Sequence, residues 1–101
     1  MPTRKLVLVQ KGEIPHITQI AVSRSYDGCD TSRHPHVHKT MWEIYYIVSG
    51  SAEFRIGSPS GEQVCEAHPG DLIAVPPDTL HFYRVPEGVE LRLLYFGVAT
   101  D

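Results

Sequence analysis

Turn-forming residues interrupt this chain at short intervals, and that punctuation leaves little room for anything but brief strands. Gly12, Pro15, Asp27-Gly28, Ser49-Gly50, Gly57 to Gly61, Pro69-Gly70-Asp71, Pro76-Pro77-Asp78 and Pro86-Glu87-Gly88 break it into segments of a few residues. Between them lie stretches rich in β-branched and aromatic side chains: Leu6 to Val9, Ile17 to Val22, Glu43 to Val48, Leu72 to Val75, Leu80 to Val85 and Val89 to Phe96. Short strands separated by Gly and Pro turns read as an all-β sandwich or barrel. No window keeps a 3.6-residue apolar period, so no long amphipathic helix is expected. Two segments read as hairpins: Glu43 to Ile56 around Ser49-Gly50-Ser51, and Asp71 to Val85 around Pro76-Pro77-Asp78. Gly57 to Gly61 reads as an exposed loop tip.

With 101 residues and no linker or repeat, one domain spanning residues 1–101 is expected. A hydrophobic fraction of 42% is enough for that domain to fold. The formal charge of -3, with scattered Lys and Arg, lacks the basic footprint of a nucleic-acid binder. No apolar run approaches the ~20 residues of a membrane span. Leu6 to Val9 is too short for a secretory signal, so the cytoplasm is the expected compartment. Cys29 and Cys65 form no CxxC-type pair and read as packed or idle thiols.

The chemistry-bearing residues concentrate in His34-Pro35-His36-Val37-His38, followed by Glu43 and, much later, His81. On a strand, His36 and His38 point to one face. Glu43 has the wrong parity for that face unless Lys39 to Trp42 bends and a new strand begins at Glu43. His81 can join them only if a distant strand closes over the site. Imidazoles with a carboxylate suit first-row transition ions better than calcium or magnesium. Taken alone, however, an HxH pair reads more readily as surface or hydrogen-bonded histidines than as a metal site.

The spacing carries more than the pair does. His36-x-His38, four residues, Glu43, six residues and Gly50 reproduce the first cupin motif. Gly70, five residues, Pro76, Pro77, Asp78, two residues, His81, three residues and Val85 follow the second, with Asp78 in place of its turn glycine and Val85 in place of its terminal asparagine. Asp tolerates a glycine-like backbone at modest cost. The chain therefore resembles the cupin superfamily, as a small single-domain member. The resemblance implies a double-stranded β-helix, the jelly-roll cupin barrel. It also implies one divalent metal (Mn, Fe, Ni, Cu or Zn) held by His36, His38, Glu43 and His81.

By the same resemblance, the expected function is a small metal-dependent isomerase, lyase or dioxygenase acting on a sugar, keto acid, phenol or similar oxygen-bearing compound. The alternative is a non-catalytic ligand-binding or regulatory module. Tyr45 and Ile47 share the inward parity of Glu43, and Tyr83 that of His81. Tyr45 and Tyr83 are therefore the candidate catalytic residues, as proton donors or substrate contacts, against the plainer reading of core aromatics with a hydroxyl at the rim. His34 reads as solvated or as an outer contact of the site, His16 and His68 as surface residues, and Trp42 as packing or a pocket wall. Arg55 and Arg92 are assigned to exposed strand faces. A homodimer is expected, with the apolar strand Leu6 to Val9 as a candidate for pairing onto a neighbour.

Overall fold

The computed structural model describes residues 3–25, 40–57 and 61–100. Eight strands run in the order β1 (Thr3–Val9), β2 (Ile20–Ser25), β3 (Met41–Ser49), β4 (Ala52–Ile56), β5 (Gln63–Ala67), β6 (Leu72–Val75), β7 (His81–Arg84) and β8 (Leu91–Ala99). They form two antiparallel sheets, a five-stranded one ordered β1-β2-β8-β3-β6 and a three-stranded one ordered β5-β4-β7. The all-β class is as expected.

Alternation decides which face of each strand turns inward. In β3, Glu43, Tyr45 and Ile47 are buried while Trp42, Tyr46 and Val48 are exposed. In β8, Leu91 and Leu93 are buried and Arg92 between them is exposed. Phe54 and Ala52 on β4, Val75 on β6 and Val85 after β7 complete a core squeezed between the sheets. Phe54 is fully buried and sits with its ring 5.3 Å from those of both Tyr45 and Tyr83. Burying one such aromatic contributes about 1.5–3 kcal/mol.

Neither expected hairpin forms. β3 pairs with β8 on one edge and β6 on the other, so no edge remains for β4. The turn at Gly50 instead carries the chain from the large sheet to the small one. Gly50 has φ +83°, and an added Cβ would overlap the carbonyl oxygen of Glu90. The turn at Pro76-Pro77-Asp78 likewise crosses from β6 in one sheet to β7 in the other. Proline cannot donate to a continuing ladder, which favours leaving the sheet there. Asp78 takes the left-handed conformation, φ 59°, as its glycine-like place requires.

Two strand limits also differ from expectation. The ladder of β2 begins at Ile20, because Ile17 makes only an isolated bridge to Val98. Thr18 is held instead by its hydroxyl, which accepts the Gly97 N–H at 2.7 Å. β2 then continues through Ser23 and Ser25, whose small polar side chains are buried. β5 was not expected at all. Gln63–Ala67 has weak strand propensity, but its register with β4 supplies the pairing that propensity does not.

Candidate metal centre

Two of the four expected ligands meet inside the sandwich. Glu43 projects inward from β3 and His81 from the start of β7, so they face each other from opposite sheets. His81 Nε2 lies 3.2 Å from Glu43 Oε1, and both residues are buried. His36 and His38, with His34, lie outside the described residues. Among the described residues, no three metal-ligating side chains cluster.

The hydrogen bonds around His81 define its chemistry. Its Nδ1 is 3.1 Å from the carbonyl oxygen of Thr79, which can only accept. Nδ1 must therefore carry the proton, and in the neutral ring Nε2 presents a lone pair toward a carboxylate oxygen. Two electron-rich atoms brought this close call for a cation between or beside them, either a proton or a metal ion. Burial alone disfavours a charged His81, but the bonds to Glu43 and Thr79 and the Glu43 charge outweigh it. Its pKa therefore rises above the ordinary histidine value. This donor set fits a divalent transition ion.

Tyr45 organises the carboxylate. Its hydroxyl donates to Glu43 Oε1, and its ring lies edge-on to His81 at 6.0 Å. Burial, followed by the Glu43 charge, pushes the Tyr45 phenol far above its ordinary range, so this hydroxyl keeps its proton. Tyr95, two residues before the Gly97 that pairs with Glu43, is a site residue that the sequence reading missed. It pairs with Tyr45 across β3 and β8, and the rings stack at 6.1 Å. Burial and the Glu43 charge also raise its pKa. The alternation of Leu91 and Leu93 with Arg92 was the available signal for its inward direction.

The remaining candidates sit elsewhere. Tyr83 is half-buried against Phe54, its hydroxyl 2.9 Å from Ser25 Oγ. Trp42 is exposed. His16 and His68 are exposed, with His68 Nε2 3.1 Å from Glu66. Arg55 bonds Glu53 and Glu62 on the outer face of the small sheet, and Arg92 bonds Glu90, so neither reaches the site. Cys65 is a half-buried free thiol whose pKa is raised by burial and Asp71; Cys29 lies outside the described residues.

The family model of the cupin domain matches residues 27–97, which spans both histidine-bearing motifs. The chain is a cupin. It is 37% identical over 65 residues to an acireductone dioxygenase of Exiguobacterium sibiricum, covering 63% of this chain and 36% of that protein. It is 32% identical over 65 residues to an acireductone dioxygenase of Bacillus cereus, covering 63% and 38%. This cupin thus spans little more than a third of the length of these curated relatives. Among solved structures, a predicted oxalate decarboxylase from Thermotoga maritima superposes with a TM-score of 0.84 at 18% identity, covering 96% of this chain and 80% of that one. That likeness, with the two antiparallel sheets, establishes the jelly-roll fold. No helix among the described residues is long and apolar enough to cross a membrane.

Proposed function

We propose that this cupin holds one divalent transition metal on His36, His38, Glu43 and His81 and works as a small metal-dependent enzyme. The observation that carries the reading is the convergence of His81 Nε2 and Glu43 Oε1 from opposite sheets, with Nδ1 of His81 tied to the Thr79 carbonyl. A metal there supplies Lewis-acid polarisation of an oxygen donor. Three imidazoles and one carboxylate leave a divalent ion a formal charge of about +1, which favours an anionic or polarised oxygen ligand. The substrate class in this reading is a sugar, keto acid, phenol or similar compound, and the reaction that of an isomerase, a lyase or a dioxygenase. The relatives named for acireductone dioxygenation and oxalate decarboxylation support this range without selecting within it.

The chain's own residues have distinct parts in this reading. Thr79 fixes the tautomer of His81, and Tyr45 fixes one oxygen of Glu43, so both ligand atoms are oriented before an ion arrives. Because Tyr45 holds its proton tightly and already donates it to Glu43 Oε1, it is a poor base and acts by positioning the carboxylate. Tyr95 stacks on Tyr45 and helps hold it in place, while the Tyr83 hydroxyl is engaged with Ser25. The test is turnover by protein reconstituted with Mn, Fe, Ni, Cu or Zn against sugars, keto acids and phenols. Turnover that needs metal and disappears in Glu43→Gln supports the enzyme; metal-dependent binding with no turnover supports the ligand-binding alternative.

A further inference from the structure

Gly97 is buried on β8 directly across from Glu43 on β3. Paired residues of antiparallel strands carry their side chains on one face, with Cβ atoms about 5 Å apart. A Cβ added at Gly97 would therefore point inward beside the carboxylate. There it would overlap Met41 Sδ and come within 2.9 Å of Thr18 Oγ1. The slot that Gly97 leaves is thus filled by the Met41 thioether, which arrives from two residues before Glu43 on the same face of β3. Thr18 is clamped in place: its N–H donates to the Gly97 carbonyl at 2.9 Å, and its hydroxyl accepts the Gly97 N–H. The Met41 side chain is unbranched and flexible, so of the two it is the one that can move.

The inner space differs on the two sides of Glu43. Toward Ile47 it is closed, because Tyr45, Ile47, Phe54, Leu91 and Leu93 pack into the core. Toward Met41 it is looser. Met41, Thr18 and Ala99 are only half-buried, and a recess of about 280 Å³ opens against Thr18 and Ala99. Among the described residues, this is the end from which a small molecule can approach Glu43 and His81, and Met41 stands on that approach.

We infer that Met41, seated in the Gly97 slot beside Glu43, is a specificity-determining residue that limits the width of the molecule reaching the metal. The inference rests on the metal-centre reading above and narrows its substrate class. A thioether carries no charge and is only a weak hydrogen-bond acceptor, so it selects by shape. A linear donor with a short flank, such as a small keto acid, passes beside it. A ring attached next to the donor oxygens needs the volume that Met41 fills. The site therefore favours compact aliphatic oxygen donors over phenols and sugar rings.

Cobalt(II)-loaded protein titrated with acetohydroxamate and with benzohydroxamate tests it. Both probes present the same two oxygens to a metal and differ in flank, and the visible spectrum of the cobalt reports their binding without turnover. Met41→Ala should shift the ratio of the two affinities toward benzohydroxamate by at least about tenfold, the scale on which a pocket wall discriminates. Met41→Phe should shift the ratio the other way, and Met41→Ala alone decides should Met41→Phe fail to fold. Cobalt content by elemental analysis should be the same in wild type and variants. An unchanged ratio in Met41→Ala, or hydroxamates that bind in neither protein, would overturn the inference and leave the metal centre standing. Loss of cobalt in Met41→Ala would also overturn it, making Met41 a support of the ion. A wild type that takes up no cobalt would overturn the metal centre itself and the inference with it.

Discussion

His81 Nε2 and Glu43 Oε1 lie 3.2 Å apart although 38 positions separate them in the chain. Glu43 lies on β3 of the five-stranded sheet and His81 on β7 of the three-stranded one. The contact exists because β3 and β7 belong to different sheets whose inner faces close on one buried space. In a low-dielectric interior, two electron-rich atoms converging this closely favour a bound cation.

Metal and proton should therefore compete for His81. Because the hydrogen bond and charge of Glu43 raise its pKa, the competing proton stays on to higher pH than on a free imidazole. Raising pH removes that proton and should strengthen metal binding; acidifying through and below the unperturbed histidine value of ~6.5 should release the ion. Zinc titrations across that range, with proton uptake followed by indicator dye, measure this. Affinity independent of pH would argue against an imidazole ligand.

Tyr45→Phe should keep the fold, since the ring still packs against Phe54 and Tyr95. What it removes is the hydroxyl that donates to Glu43 Oε1. Loss of such an orienting partner costs roughly 10–100-fold in metal affinity or activity. Competition titration against a chelator reads this directly. Unchanged affinity and turnover in Tyr45→Phe would remove Tyr45 from the site.

Phe54→Ala should destabilise the protein by about 3–5 kcal/mol, because it empties a fully buried position at the centre of the core. Against a total of about 5–15 kcal/mol for a small domain, that leaves little stability in reserve. Urea unfolding of metal-free protein measures it. A loss below about 1 kcal/mol would show that the inter-sheet space can collapse around the change.

Gly50 and Gly88 both have positive φ, yet only Gly50 has backbone against its missing side chain. Gly88→Ala should cost about 1 kcal/mol for the left-handed conformation alone. Gly50→Ala adds overlap with the Glu90 carbonyl and should cost more, since the turn would have to move away from the start of β8. Equal denaturation midpoints for the two variants would contradict this.

Much of the site follows from alternation along single strands. Even offsets from Glu43 place Tyr45 and Ile47 on its buried face, and that rule needs no knowledge of the fold. Strand pairing is a different problem, because the edge available to β4 depends on β6 and β8 having already flanked β3. A glycine turn between two strands does not reveal whether it folds a hairpin or changes sheets. β5 was missed because its order comes from its register with β4 rather than from its own side chains. Tyr95 became legible only when the limits of β8 settled which of Leu94 and Tyr95 faces inward. His36 and His38 rest on motif spacing, since the described residues do not include them.

The most direct test of the proposed centre is elemental analysis of metal-reconstituted protein after removal of free ions. Wild type should retain about one transition ion per chain, the capacity of a single three-His, one-carboxylate site. His81→Ala should lose most of it, while His68→Ala, altered at an exposed histidine bonded to Glu66, should retain it. Wild-type protein without stoichiometric metal, or His81→Ala and His68→Ala retaining metal equally, would contradict a centre built on His81 and Glu43.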